Sequence, residues 1–205
     1  MFIEMAKRQY KMRQRAEEQE RTRQTIVEAT AELHGSVGPK NTSISAIAKK
    51  AGVQRLTVYR HFPTEEALFH ACTSHWLSEN PPPAIEAWAG EETASGRTRR
   101  ALGAIYDYYQ QTNAMWRLSY RDLDQVPALR APMEAFHDYL GEIRDDLLSF
   151  WQPKGRKSPA LRATIWHALT FTTWSSLAEQ GIGKRQMVDL VGKWIASSAP
   201  ESGAG

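Results

Sequence analysis

The sequence predicts an all-α protein of about nine helices, an N-terminal helix-turn-helix domain followed by a larger helical domain. Three observations carry that prediction. Apolar residues recur every three or four positions, as at Ile26, Ala29, Thr30 and Leu33, at Leu102, Ile105, Tyr106 and Tyr109, and at Phe136, Leu140, Ile143 and Leu147. No alternating series of the kind a half-buried strand needs competes with them. Turn-forming clusters interrupt the pattern at "HGSVGPKN" (34–41), "ENPPP" (79–83), "GEETASG" (90–96), around Pro127 and Pro132, at "QPKGRKSP" (152–159) and at "GIGK" (181–184).

Composition narrows the class. At 205 residues and 41% hydrophobic content the chain can bury a sizeable core. Its longest apolar runs fall far short of the roughly 18 residues that a membrane span needs, and the start "MFIEMAKRQ" lacks a secretory pattern, so a soluble cytoplasmic protein with no membrane partner is expected. The single cysteine, Cys72, excludes an internal disulfide framework and reads as a core thiol in a reducing compartment. Residues 1–62 carry twelve Lys or Arg against six Asp or Glu, whereas the remainder carries fourteen against seventeen. An excess of positive charge in the first third suits a nucleic-acid contact, and it also suits a basic solvated face.

Taken in order, the first 24 residues are rich in Gln, Arg, Lys and Glu and have no apolar stripe, which predicts a frayed helix or a disordered arm over 1–19. The stretch 43–62, "SISAIAKKAGVQRLTVYRHF", then reads as two short helices about a tight turn. Ile44, Ile47, Ala48 and Ala51 form the inner face of the first, Gly52 permits the turn, Val53 plugs the gap, and Val58 and Phe62 face inward from the second. What is left outside is Gln54, Arg55, Leu56, Thr57, Tyr59, Arg60 and His61. A helix of little more than two turns is stable only when packed, and a packing helix does not need such a set. In the major groove Arg pairs with guanine, Gln with adenine, and Leu or the Thr methyl with the thymine methyl.

Thr64 before Glu65 and Glu66 reads as the cap of a further helix to about Glu79, and Ser158 before Pro159 as the cap of another. Two long helices, about 159–180 and 184–198, close the chain before a loose tail at 199–205. Their stripes, Leu161, Ile165, Ala168, Leu169 and Thr172 on one and Met187, Leu190, Val191, Trp194 and Ile195 on the other, are expected to be hard to satisfy within one subunit.

The segments "TSISAIAKKAGV" (Thr42 to Val53) and "TVYRHFPTEEAL" (Thr57 to Leu68) together resemble the DNA-binding domain of the TetR family of bacterial transcriptional regulators. The resemblance is strong over about residues 20–70 and architectural beyond. It implies a DNA-binding domain at 20–66, with Gln54, Arg55, Leu56, Thr57 and Arg60 in the groove and Thr42, Tyr59 and His61 on phosphates. Phosphate contacts set register and base contacts set sequence. One departure is Glu65, where many members carry Lys and hold a phosphate; Lys7, Arg8, Lys11, Arg13 and Arg15 of the arm either take over that role or are simply solvated. The resemblance also implies that residues 67–198 bind a small-molecule effector and form a homodimer through 159–198, so that two recognition helices about 34 Å apart read a palindromic double-stranded operator. Repression relieved by ligand is the family default.

The larger domain carries a heavy aromatic load interleaved with polar residues, the usual make-up of an apolar pocket. Trp76, Tyr106, Tyr109, Asn113, Trp116, Tyr139, Trp166 and Thr173 are the candidate lining, a ligand beside Trp76 or Trp116 being placed to tilt the Thr64–Glu79 helix. No buried carboxylate stands out, which favours a neutral or lipophilic compound over a cation. Six dispersed histidines give no metal spacing, and there is no phosphate loop or nucleophile elbow, so no metal, cofactor or catalytic residue is expected. Two alternatives stay open from sequence: a DNA-binding dimer without a ligand, and a helical enzyme with a vestigial DNA-binding domain.

Overall fold

The structure, a computed structural model, describes the backbone of residues 2–152 and 157–199 and the side chains of residues 8–152 and 159–199. Among the described residues it contains nine α-helices and no strand: α1 (Phe2–Ser36), α2 (Ile44–Lys50), α3 (Arg55–His61), α4 (Glu65–Glu79), α5 (Ala94–Asp122), α6 (Arg130–Trp151), α7 (Lys157–Leu169), α8 (Phe171–Glu179) and α9 (Lys184–Ser198). Short 3-10 turns occupy Pro39–Asn41, Ile85–Trp88 and Pro127–Leu129. None of the described helices is long and apolar enough to cross a membrane. The chain forms two compact units, one of residues 1–80 and 117–132, the other of residues 81–116 and 133–205. The first therefore extends past the 20–66 segment to take in all of α4.

In the first unit Ile26 and Val27 of α1, Ile47 and Ala48 of α2, Val58 and Phe62 at α3, and Leu68 and Cys72 of α4 share one core. Phe69 on α4 packs with Val126 and Leu129 in a second cluster. Residues 2–24 take the helical alternative. Once residues 26–33 are anchored, extending the helix backwards carries no new nucleation cost, and Gln, Arg, Glu and Ala are good helix formers with an Arg13–Glu17 pair at 2.9 Å in support.

The second unit is held by α5. Its Tyr106 and Tyr109, both wholly buried, donate hydroxyl hydrogen bonds to the carbonyls of Ala168 and Leu169 at 2.9 and 2.7 Å. Those are end carbonyls of α7, which a helix leaves without partners. Here the sequence expectation of one helix over 159–180 is corrected, since the chain turns extended at Thr170 (φ −73°, ψ 144°) and restarts as α8. The hydroxyls of Thr170 and Thr173 also take the His167 carbonyl, at 2.8 and 2.6 Å, so side chains replace the backbone donors that continuity would have required. Helix α7 begins at Lys157, leaving Pro159 in its first turn, where a missing N–H costs nothing; the side chain of Ser158 lies outside the described residues, as does the tail from residue 200.

A second correction concerns the stripes on the last helices. Leu161, Ile165, Ala168 and Leu169 of α7 and Met187, Val191 and Ile195 of α9 are buried within the single chain, where α7 packs directly on α9. Intrachain packing satisfies them. Only Trp194, 36% exposed, Thr172 and the half-buried Leu190 are left from that set. At the other end, Arg97 clamps Asp146 through two hydrogen bonds of 3.0 and 2.6 Å, and Trp88 donates its indole N–H to the same carboxylate at 3.0 Å.

Candidate nucleic-acid interface

The local chemistry of α2 and α3 explains their shape. Ser43 caps α2 by accepting the Ala46 N–H at 3.1 Å. At its other end the Gly52 N–H bonds to the Lys49 carbonyl at 3.3 Å and the Val53 N–H to the Ala48 carbonyl at 2.9 Å, with Gly52 at φ +67°. This is a Schellman termination, and it places Val53 against the core beside Ile47 and Ala48. A Cβ at Gly52 would meet nothing within 4 Å, so the backbone conformation, not space, requires the glycine. Thr64 then caps α4 by accepting the Ala67 N–H at 3.2 Å.

Val58 and Phe62 fix α3 by burial, and everything between faces away. Leu56 is 76% exposed and Tyr59 46%, while Gln54, Arg55 and Arg60 are exposed and Thr57 and His61 half-buried. Gln54 occupies the N-cap position without using its side chain there. Neither Arg55 nor Arg60 takes part in a salt bridge among the described residues. Burial, reinforced by the charges of Arg60 and Arg23 and opposed by Glu20, lowers the His61 imidazole below its ordinary range, so it is neutral at pH 7 with one N–H to donate. Thr42 is half-buried in the turn before α2 and donates its hydroxyl to the Gly38 carbonyl at 2.8 Å, a bond that a phosphate contact from the same hydroxyl would replace. Arg23 sits over the Phe62 ring at 4.9 Å, so the arm of α1 leaves the domain beside the C-terminal end of α3.

A family model for bacterial regulatory proteins of the tetR family matches residues 26–72, from the anchored part of α1 to the middle of α4. The match covers the helix-turn-helix segment and stops short of the second unit. The fold of the chain is shared with a TetR-like transcriptional regulator from Rhodococcus sp. RHA1, at 21% identity over 85% of this chain and 93% of that one, with a TM-score of 0.57. It is shared too with the multidrug binding protein EbrR, seen in complex with imidazole, at 19% identity over 89% and 92% of the two chains and a TM-score of 0.54. No curated protein matches the sequence.

The candidate effector residues separate by role. Trp76 belongs to the first unit, where its carbonyl accepts from Asn80. Tyr106, Tyr109 and Thr173 spend their hydroxyls on the α7 carbonyls. Trp166 lies edge-on to His137 and under the Arg144 guanidinium. Tyr139 donates to the Pro83 carbonyl at 2.6 Å. Trp116 sits with its ring centroid 4.1 Å from Phe136, at the centre of a cluster that also holds Tyr108, Tyr109, Phe171 and Trp174. Phe136, Phe171 and Trp174 belong to the aromatic load legible in the sequence, though not to the candidate lining, whereas Tyr108 is a contributor that sequence reasoning missed. The Asn113 side-chain oxygen is buried beside it on α5 without a hydrogen-bond partner, and burial pushes the Tyr108 phenol above its ordinary range. Among the described residues no three His, Cys, Asp or Glu side chains group to hold a metal ion.

Proposed function

We propose that this chain is a cytoplasmic repressor that binds a palindromic operator as a homodimer and releases it when a small neutral molecule occupies the second unit. The observation that carries the proposal is the outward face of α3, where a leucine 76% exposed and a tyrosine 46% exposed stand among arginines without salt-bridge partners. Water is a poor environment for the leucine and the tyrosine ring, and a major groove offers the leucine a thymine methyl and the arginines guanine acceptors. Gln54, Arg55, Leu56, Thr57 and Arg60 read bases, while Thr42, Tyr59 and His61 hold phosphates. Dimerisation uses the outer faces of α7 and α9, where the exposed small residues Ala160 and Ala163 leave room for close approach beside Trp194. The effector lies against Trp116, Asn113, Tyr109 and Tyr139, with Tyr106, Trp166 and Thr173 shaping the walls. Asn113 offers it an acceptor among aromatic rings, which suits a neutral aromatic compound with a donor.

The test is sedimentation of the protein with a duplex selected from a random library. Two chains per palindromic duplex, dissociating steeply with salt, are expected, with Trp194→Asp reducing the complex to one chain or none. A wild-type complex of one chain per duplex would overturn the dimer.

A further inference from the structure

The turn joining α1 to α2 is held from a distant part of the sequence. Asp122, at the end of α5 and only 1% exposed, accepts the Lys40 backbone N–H on Oδ2 at 3.0 Å. Arg121 binds both oxygens of that carboxylate, at 2.7 and 3.0 Å, and its Nη2 also donates to the Val37 carbonyl at 3.0 Å. Between these anchor points Gly38 has φ +91°, and a Cβ there would collide with the Arg121 guanidinium and stand 2.6 Å from the Asp122 carboxylate. The Gly38 carbonyl in turn receives the Thr42 hydroxyl.

We infer that Arg121 and Asp122 are positioning residues for DNA binding, which hold the 37–42 turn so that the Thr42 hydroxyl, turning from the Gly38 carbonyl to donate outward, meets a phosphate in the register set by α3. The chemistry suits the task. A carboxylate facing DNA would repel it, but Arg121 neutralises this one, and Lys40 adds a second positive charge close by. The bidentate guanidinium fixes direction as well as distance, which a lysine at 121 would not. Gly38 completes the arrangement, since any side chain there would both strain the backbone and displace the clamp. The inference rests on the reading of Thr42 as a phosphate contact.

A double-mutant cycle on the intact protein tests it, with operator affinity measured beside thermal unfolding. Arg121→Gln, at a half-exposed side chain, and Thr42→Ala are each expected to weaken operator binding about tenfold, the range of one phosphate contact. The double variant is expected to bind no worse than the weaker single one, because both changes remove the same contact, and Gly38→Ala is expected to behave like Arg121→Gln. Full additivity, or wild-type binding by Arg121→Gln while Thr42→Ala is impaired, would overturn the positioning role and leave the Thr42 contact standing. Undiminished binding by Thr42→Ala would overturn both.

Discussion

On α3 Arg55, Leu56, Tyr59 and Arg60 point out and, among the described residues, enter no salt bridge or side-chain hydrogen bond; on α5 Arg97, Tyr106 and Tyr109 point in and hold the chain together. Arg55, Leu56, Tyr59 and Arg60 could be replaced with little consequence for the fold, whereas Tyr106 and Tyr109 close the end of α7 and Arg97 clamps Asp146. Two tyrosines, Tyr59 and Tyr109, thus have opposite meanings. The same residue type reports function where its hydrogen-bonding capacity is unspent and stability where it is spent.

The strongest way to break this comparison is at Asp146. Its removal by Asp146→Ala leaves the buried Arg97 guanidinium and the Trp88 N–H without their acceptor, and about 3–5 kcal/mol of unfolding free energy should be lost in a urea titration. A loss under about 1 kcal/mol would class the pair with surface ion pairs.

Next in size is an acid effect from His34, buried against Phe69 at 4.7 Å between ring centroids. Burial pushes its imidazole down to about 4, partly opposed by Asp122. The unfolded chain therefore takes up this proton near 6.5 and the folded chain only near 4. Between those values the unfolded state binds more protons, so stability is complete above about 6.5 and falls by about 3 kcal/mol as the pH drops to 4. Melting temperature against pH should show that slope, and His34→Gln should flatten it. Asp122 acts in a lower window, since Arg121 holds its carboxyl below the usual carboxylate range and its contribution is lost only as pH falls through that depressed value.

A smaller and sharper contrast comes from one hydroxyl at each site. Tyr109→Phe leaves the Leu169 carbonyl buried without its donor and should cost about 1–2 kcal/mol of stability. Tyr59→Phe should change stability by less than about 0.5 kcal/mol and weaken binding to all DNA sequences alike. If Tyr59→Phe destabilised as much as Tyr109→Phe, the outward face of α3 would have a structural duty not visible in its contacts.

What was legible in the sequence follows the same line. The helix-turn-helix could be read because its determinants are local: the cap at Ser43, the left-handed Gly52, and the inward pair Val58 and Phe62, all within twenty residues. The break at Thr170 could not, because the donors that stabilise it come from Tyr106 and Tyr109, about sixty positions away. In "IYDYY" (105–109) nothing local distinguishes the two tyrosines that cap α7 from Tyr108, which instead faces Trp116 and Phe136. The stripes of α7 and α9 are legible as apolar, but periodicity shows which face is buried and not what buries it, so their burial within one chain is not legible. The clamp of Asp122 on Lys40 spans 82 positions and left no trace in the spacing.

The most direct test of the central claim, that the exposed face of α3 reads DNA sequence, is the affinity of Arg55→Ala for its selected operator and for random duplex at one salt concentration. Loss of a base contact predicts a penalty of about 1–3 kcal/mol on the operator and little on random DNA. Equal losses on the two duplexes would make Arg55 a phosphate contact, and no loss on either would contradict the account of α3 as the recognition helix.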